Sequence, residues 1–192
     1  GFLELEARLS SGNYNVLFIV SDDLTANVLS CYEDGVSRTP NIDRLASQGV
    51  RFSRAFCQAT YCGPSRLSFM SGFYPGTKGF VRIREKTTFP EAFKNQGYYT
   101  ARVSKLYHMG VPIDIELGFD SSDHPESWTE SFNSPGPEWR ARGRGETLEN
   151  NPDGTKPVVG GNTFVVVEAE GDDLEHSDGK TAEKASELIR SH

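Results

Sequence analysis

The sequence predicts an α/β fold in which a mostly parallel sheet carries helices on both faces. The first indication is the segment Asn15 to Val20, a continuous apolar run of strand length. Such a run is typical of a strand that is buried on both faces. The second indication is that helix signals and further strand-like runs alternate along the next 90 residues, which is the pattern of a layered α/β sheet.

Three helices are predicted in this first part of the chain. The segment Thr39 to Gly49 has a threonine at the N-cap position, a proline at the first helical position and a terminating glycine. A second helix opens at Pro64 and runs towards Gly72. A third, Thr88 to Gly97, opens with the Thr-x-x-Glu spacing of a capping box. Each helix therefore has a defined start and stop.

Strands are predicted at Val50 to Phe56 and at Tyr98 to Val103, and the signal weakens after residue 110. Residues 120–160 are rich in Ser, Pro, Gly and acidic residues, and we interpret them as a long surface excursion. A further strand at Thr163 to Val167 and a helix at Thr181 to Ile189 follow. The predicted organisation is one incomplete domain with a core at 14–119, an excursion at about 120–162, and a strand and helix at 163–190. The excursion contains a short basic cluster of Arg140, Arg142 and Arg144.

Composition excludes several classes of protein. The 192 residues carry 20 Lys+Arg and 27 Asp+Glu, a net charge of −7, which argues against wholesale nucleic-acid binding. No apolar run is long enough to span a membrane. Three cysteines without a CxxC spacing argue against a disulfide framework and against a zinc site. The chain begins at Gly1 with no visible signal peptide, and we expect both ends to be cut.

Charge is distributed unevenly along the chain. Residues 1–110 carry 13 Lys+Arg and 9 Asp+Glu, whereas residues 111–192 carry 7 and 18. The part with the clearest strand and helix signals is therefore mildly cationic within an acidic protein. Local cations of this kind matter for an anionic ligand only where they are aimed at it.

Two adjacent carboxylates, Asp22 and Asp23, follow the first predicted strand. Ligands of open α/β sheets bind at the carboxyl ends of strands, and hard cations such as Ca²⁺ prefer oxygen ligands. The pair is thus well placed to bind a cation. A solvated turn or a helix N-cap is the alternative interpretation.

The segment Cys62-Gly63-Pro64-Ser65-Arg66 places a cysteine just before a helix that starts with proline. Free backbone N–H groups and the positive end of the helix dipole favour an anion there, and Arg66 adds a fixed charge one turn in. These features predict a nucleophile beside an anion-binding site. A small buried cysteine next to a structural arginine is the alternative.

Lys105 and His108 lie three residues apart at the end of a predicted strand. Lysine offers a point charge to a tetrahedral anion, and histidine exchanges a proton near neutral pH. Taken alone, such a pair at a strand end is more often simply solvated. Because the aspartates, the cysteine and this pair each lie at a strand end or a helix start, we expect them to meet at one sheet edge.

Taken in chain order, these motifs resemble the N-terminal part of a sulfatase of the alkaline phosphatase superfamily. The Asp-Asp pair, Thr39 to Leu45, and Cys62 to Gly72 match that family in order, and Gly97 to His108 resembles its second signature. The resemblance covers residues 14–110 well. It implies an alkaline-phosphatase-like fold that is incomplete in this chain.

Two shorter segments resemble one branch of that family. Lys105 to Gly110, together with Asp178 to Ala185, is most similar to the iduronate-2-sulfatase-like branch. The Cys-x-Pro-Ser-Arg core is the recognition sequence of the enzyme that oxidises the cysteine. The resemblance therefore implies a formylglycine-generating or sulfatase-maturing enzyme as a partner that converts Cys62 to formylglycine.

The resemblance also implies a role for each site residue. Asp22, Asp23 and the modified Cys62 would bind one Ca²⁺ ion. The hydrated aldehyde of Cys62 would attack the sulfur of a sulfate ester, and its second hydroxyl would then release sulfate. The three remaining residues would act on the hydrate or the anion: Arg66 would stabilise the aldehyde hydrate, Lys105 would hold sulfate oxygens, and His108 would orient or deprotonate the hydrate.

The sequence departs from the family pattern at two positions, and part of the pattern is missing. Ser104 stands where the second signature usually has glycine, and Ser71 stands where the first usually has Thr, Ala or Arg. The family's later metal and substrate ligands would come from beyond residue 192, and neither His176 nor His192 lies in a matching context. We therefore expect residues 1–192 alone to be inactive and to bind calcium poorly.

The predicted function is hydrolysis of a sulfate ester carried by a small molecule or a glycan. A phosphate or phosphonate ester hydrolase of the same superfamily is one alternative, and a non-catalytic fragment that binds sulfated glycans is another. The resemblance further implies export to the periplasm or the medium, while charge and hydropathy predict no nucleic acid partner and no membrane span. The alcohol that carries the sulfate is not specified by these residues.

Overall fold

The computed structural model describes residues 14–32, 36–76, 85–137, 141–147 and 165–192, with the backbone alone for 145–147 and 165–167. Within these ranges the chain divides into two compact units, residues 1–53 and residues 54–192. The helices are α1 (Pro40–Gln48), α2 (Cys62–Ser71), α3 (Phe89–Asn95), α4 (Ile113–Leu117) and α5 (Ser177–Ser191). The strands are β1 (Ala101–Val103), β2 (Glu130–Phe132), β3 (Gly143–Thr147) and β4 (Val165–Ala169).

The first unit contains α1, which forms where the sequence predicts it. The helix begins at Pro40, and Gly49 follows its last residue. Thr39 lies at the N-cap, but its hydroxyl donates to the Asp43 carboxylate at 3.1 Å and does not cap a backbone N–H. The hydroxyl of Ser30 donates to the same carboxylate at 2.9 Å. The start of α1 is therefore tied to the preceding loop through side chains.

Two predicted strands do not form, and these predictions are wrong. Neither Asn15 to Val20 nor Val50 to Phe56 has strand geometry. Leu17, Ile19 and Phe52 are 61%, 76% and 68% exposed. A strand needs a partner for its backbone N–H and C=O groups, and no described segment pairs with either run. An apolar pattern indicates that a segment can be buried, whereas the partner decides whether it becomes a strand.

The second unit holds a small parallel pair of strands. In it β1 runs beside β2, with Arg102 opposite Ser131. The predicted strand at Tyr98 to Val103 is thus confirmed over its last three residues. β2 lies within residues 120–160, and three polar residues before and after it, His124, Ser127 and Ser134, are buried. The segment around β2 therefore differs from the predicted surface excursion, because it supplies the second strand of the parallel pair and is partly buried.

A second pair of strands and a long helix complete this unit. β3 and β4 are antiparallel, with Gly143 opposite Ala169. The predicted strand at Thr163 to Val167 is shifted, since β4 is Val165–Ala169, and Thr163, Phe164 and Arg140 lie outside the described residues. α5 starts one turn before the predicted Thr181. The described part of the chain is therefore α/β, with one parallel and one antiparallel strand pair in place of a mostly parallel sheet.

Helix α3 has the predicted capping box. The Glu91 backbone N–H donates to the Thr88 hydroxyl at 3.3 Å, and the Thr88 N–H donates to the Glu91 carboxylate at 3.2 Å. Thr88 is 1% exposed, and its hydroxyl lies 2.6 Å from that of Ser127. The cap thereby anchors α3 to the loop before β2.

The apolar core of the second unit lies between α2 and the segment that follows β1. Its buried members are Met70 of α2, Tyr107 and Trp128. Leu67, Phe69, Phe89 and Leu106 pack against them. This core joins the helix that carries Cys62 to the segment that carries Lys105 and His108, so it positions the candidate site.

Candidate active site

Cys62 is the first residue of α2. The sequence predicts a start at Pro64, but the helix begins two residues earlier, because Tyr61 is extended and its carbonyl accepts from the Ser65 N–H at 3.1 Å. Proline is tolerated throughout the first turn, where its missing N–H has no helical partner. Cys62 therefore lies within the first turn, where the positive end of the helix dipole favours an anion.

The side chains of Cys62 and His108 meet although 46 residues separate them. The sulfur lies 3.4 Å from Nδ1 of His108. A Cβ at the buried Gly63 would lie 3.7 Å from Cγ of the same ring, so the imidazole packs over this glycine. The Tyr61 ring is 6.3 Å away, centroid to centroid, on the exposed side. The predicted nucleophile and the predicted proton carrier are thus in contact.

Arg66 connects α2 to the segment that precedes His108. Its side chain is 3% exposed, and one guanidinium nitrogen donates to the carbonyls of Lys105 and Leu106 at 3.0 and 2.9 Å. A charged donor to buried carbonyls forms strong hydrogen bonds. The observed contacts therefore assign Arg66 a structural task, and its predicted action on the aldehyde hydrate stays a prediction.

Lys105 follows β1 after one intervening residue and is partly buried. Its carbonyl is fixed by Arg66, so its backbone position relative to α2 is defined. The structure thus brings Cys62, Arg66, Lys105 and His108 together within one unit. The contact of the Lys105 side chain with sulfate oxygens stays a prediction.

Tyr107 lies between Lys105 and His108 in the chain and belongs to the core. Burial raises the pKa of its phenol, while the nearby hydroxyls of Ser127 and Thr88 act in the opposite direction. Because the net shift is upward from 10.0, the phenol is neutral at pH 7. Tyr107 therefore acts as an uncharged anchor that holds this segment on the core.

Asp22 and Asp23 belong to the first unit. Both are exposed in a turn that follows the apolar run, and Asp23 adopts a left-handed φ of 53°. In the ranges that the structure describes, no group of three or more His, Cys, Asp or Glu side chains is arranged to hold a metal ion. Two adjacent carboxylates nevertheless suit Ca²⁺ by donor type, although it takes 6–8 oxygen ligands. They fit as part of a calcium site.

The comparison that decides the family covers nearly the whole chain. A profile of the sulfatase family matches residues 14–192. The chain belongs to the sulfatase family. The resemblance stated from the motifs is thereby confirmed, and membership implies the alkaline-phosphatase-like α/β class.

Several characterised sulfatases are similar to this chain. Iduronate 2-sulfatase of Mus musculus is 40% identical over 123 residues, which are 60% of this chain and 21% of that protein. The enzyme of that name from Homo sapiens is 37% identical over 134 residues, 66% of this chain and 23% of that protein. N-acetylglucosamine-6-O-sulfatase of Bacteroides thetaiotaomicron is 32% identical over 111 residues, 55% of this chain and 19% of that protein. The chain thus matches only about a fifth of the length of these sulfatases.

Hydropathy adds one finding about this sulfatase chain. Across the residues whose structure is described, no helix is both long enough and apolar enough to cross a bilayer.

Sequence reasoning missed a buried polar group close in the chain to the candidate site. Arg102 is 3% exposed within β1 and forms ion pairs with Asp120 and Asp123. The signal was present, because an arginine in the middle of a strand-like run must find partners when it is buried. The partners lie about 20 residues downstream in a segment with no regular pattern, so spacing alone does not reveal them.

The backbone conformation at Ser104 shows why the sulfatase pattern usually has glycine at this position. Its φ is 58°, in the left-handed region, where glycine pays no steric penalty. This conformation destabilises residues that have a side chain by roughly 1–2 kcal/mol. Glycine avoids that steric cost but loses more conformational entropy on folding, about 0.5–1 kcal/mol. Serine is therefore tolerated at this position at a modest cost.

Replacing Ser104 by glycine is expected to raise the free energy of unfolding by about 0.5–1 kcal/mol, because the backbone strain is relieved. Denaturant unfolding of the protein followed by circular dichroism measures this. Ser104→Ala is the matched control, since alanine keeps the strained φ and should give no gain. A glycine variant less stable than the alanine variant would contradict the explanation.

Proposed function

We propose that the protein that carries this chain hydrolyses sulfate esters of sugars, using a formylglycine formed from Cys62 and one calcium ion held in part by Asp22 and Asp23. The observation that carries the proposal is the 3.4 Å contact between the Cys62 sulfur and Nδ1 of His108 at the N-terminus of α2. A reactive side chain, a proton carrier and a site that favours anions coincide there. Family membership supports the sulfate ester as the bond that is cleaved.

The site residues have separate tasks in this mechanism. His108 lies close enough to exchange a proton with an oxygen at the position of the Cys62 sulfur. Arg66 fixes the backbone of Lys105 and Leu106, so these residues reach the reaction already oriented. Lys105 supplies the cation that holds sulfate oxygens as negative charge builds on them. The free N–H groups of the first turn of α2 add to that field.

Two groups that are absent from a bare polypeptide complete the chemistry. Oxidised Cys62 would supply, as a hydrate, one hydroxyl for attack on sulfur and a second for release of sulfate, which a thiol lacks. Calcium, for which Asp22 and Asp23 would supply ligands, would bring positive charge that makes a hydroxyl more acidic. The chain supplies a cysteine for the first requirement and carboxylate oxygens for the second.

A sugar is proposed as the alcohol because similar proteins are named for sugar substrates. Iduronate 2-sulfatase and N-acetylglucosamine-6-O-sulfatase are 40% and 32% identical to the matched residues. Both names specify a sulfated sugar. We extend this substrate class to the present protein. We also propose that the protein is exported, because sulfated glycans are met outside the cytoplasm.

Parallel assays test the proposal on the full-length protein that carries this chain, expressed with a sulfatase-maturing enzyme. We expect turnover of an aryl sulfate and of a sulfated sugar, with the matching phosphate esters at least about 100-fold slower in kcat/KM. The peptide that contains Cys62 is expected to show loss of sulfur and gain of an aldehyde oxygen by mass spectrometry.

Other results of those assays would point to the alternatives. Faster hydrolysis of phosphate or phosphonate esters would identify the protein as the other hydrolase of the superfamily. Binding of sulfated glycans without any turnover, together with an unmodified thiol at Cys62, would identify a non-catalytic glycan-binding protein. Either result would overturn the proposal.

Removal of one carboxylate is expected to weaken calcium binding. In Asp23→Asn the calcium dissociation constant should rise at least about 10-fold, because one anionic oxygen ligand is lost. Calcium titration after treatment with a chelator measures this, and excess calcium should restore activity. Glu183→Gln, on the exposed face of α5, is the control and should leave the constant unchanged. Equal affinities of both variants would exclude Asp23 as a ligand.

A further inference from the structure

Arg102 contacts four residues on three segments of the second unit through its guanidinium. Its Nε donates to Asp123 at 2.8 Å, and one terminal nitrogen lies 3.0 Å from the Asp120 carboxylate. The other terminal nitrogen donates to the carbonyl of Ser104 at 2.7 Å and to the side-chain oxygen of Asn133 at 2.9 Å. A guanidinium can satisfy this many acceptors because its donors form a rigid planar fork.

The acceptors of Arg102 are themselves fixed. The Asp123 carboxylate is 6% exposed, and its second oxygen accepts from the indole N–H of the core residue Trp128 at 3.0 Å. The Asn133 amide donates to the Gly118 carbonyl at 2.9 Å. Because both partners are held by other groups, the guanidinium has one well-defined position. It is a rigid support for whatever it binds.

One of the groups it binds is the first residue of the segment that leads to the site. The Ser104 carbonyl is held by Arg102, and the next two carbonyls, of Lys105 and Leu106, are held by Arg66. Three consecutive carbonyls therefore accept hydrogen bonds from two buried guanidinium groups that come from different elements. His108 follows two residues after the last of them.

We propose that Arg102 is a positioning residue that, with Arg66, fixes the backbone of Ser104 to Leu106 and thereby holds Lys105 and His108 in register with Cys62. Its guanidinium acts on the backbone and not on the substrate. The consequence for turnover rests on the proposed sulfatase function, whereas the consequence for the backbone does not. The distinction allows the two to be tested separately.

Arg102→Lys tests the proposal, because lysine keeps the charge but cannot reach a carboxylate and the Ser104 carbonyl with the same geometry. Hydrogen exchange of the full-length protein, measured peptide by peptide, is the first readout. We expect amides within residues 104–109 to exchange at least about 10-fold faster, with those of α5 unchanged. Arg190→Lys, on the exposed end of α5, is the matched control and should change neither region.

The second readout is turnover of an aryl sulfate by the same variants. Arg102→Lys is expected to lower kcat at least about 10-fold with a smaller change in KM, since misplaced catalytic groups chiefly affect the reacting state. Faster exchange everywhere in the second unit would show a general structural role and overturn the proposal. Unchanged exchange at residues 104–109 would also overturn it. Absence of turnover in the unmutated protein would instead contradict the sulfatase function, while the exchange result would still decide the role of Arg102.

Discussion

Cys62→Ala is expected to lower kcat/KM for a sulfate ester by at least about 10³-fold, because the alanine side chain can neither become an aldehyde nor attack sulfur. The loss should occur without a loss of fold. Cys62 is only partly buried at the first residue of α2, and its sulfur contacts the side chain of His108. Steady-state assays and the thermal unfolding midpoint of the same preparation measure the two effects.

Cys57→Ala is the matched control for that experiment. Cys57 is an exposed free cysteine five residues before Cys62, and its thiol interacts with the Ala59 carbonyl at 3.0 Å. Its replacement should leave activity within about twofold, as expected for a surface position. Substantial turnover by Cys62→Ala, or equal losses in both variants, would exclude Cys62 as the nucleophile.

Arg66→Met is expected to reduce both stability and turnover. Methionine keeps the apolar stem but leaves the carbonyls of Lys105 and Leu106 without their charged donor, which costs about 3–6 kcal/mol for two bonds at about 1.5–3 kcal/mol each. The Tm of the full-length protein should fall accordingly. Turnover should fall at least about 100-fold, because Lys105 and His108 lose their fixed position.

The combination of the two readouts distinguishes the roles of Arg66. Arg190→Met removes an exposed arginine from α5 and should change neither Tm nor turnover. A loss of turnover in Arg66→Met with an unchanged Tm would indicate that Arg66 acts on the anion directly. If neither Tm nor turnover changes in Arg66→Met, the hydrogen bonds of Arg66 contribute to neither stability nor function.

Local signals in the sequence predict the helices well and the strands poorly. The capping box at Thr88 and the Pro-to-Gly frame of α1 involve residues a few positions apart, and both appear in the structure. Strand formation at Asn15 to Val20 depends on distant partners, and none is present in the described residues. The strand β2, in contrast, has only a weak local pattern and forms because β1 offers it a backbone partner.

The same difference applies to the candidate site. Residue types next to predicted helix starts and strand ends identify four candidates, Cys62, Arg66, Lys105 and His108. The structure brings these four together. The hydrogen bonds from Arg66 to backbone carbonyls have no sequence signature, since any residue offers a carbonyl.

The buried group around Arg102 was missed for a related reason. Its acceptors Asp120, Asp123 and Asn133 lie in an irregular segment, where neither periodicity nor capping rules apply. An arginine in a strand-like run indicates that a partner exists, but only tertiary structure identifies which carboxylates are near it.

The core formed by Met70, Tyr107 and Trp128 has a consequence for how this protein can change over evolution. Met70 lies on the helix that begins at Cys62, and Tyr107 directly precedes His108, so the same packing supports folding and fixes the positions of the proposed catalytic residues. We expect a substitution that loosens this packing to lower both stability and turnover. New substrate preferences are therefore more accessible through exposed positions beside the site, such as Tyr61, than through the residues beneath it.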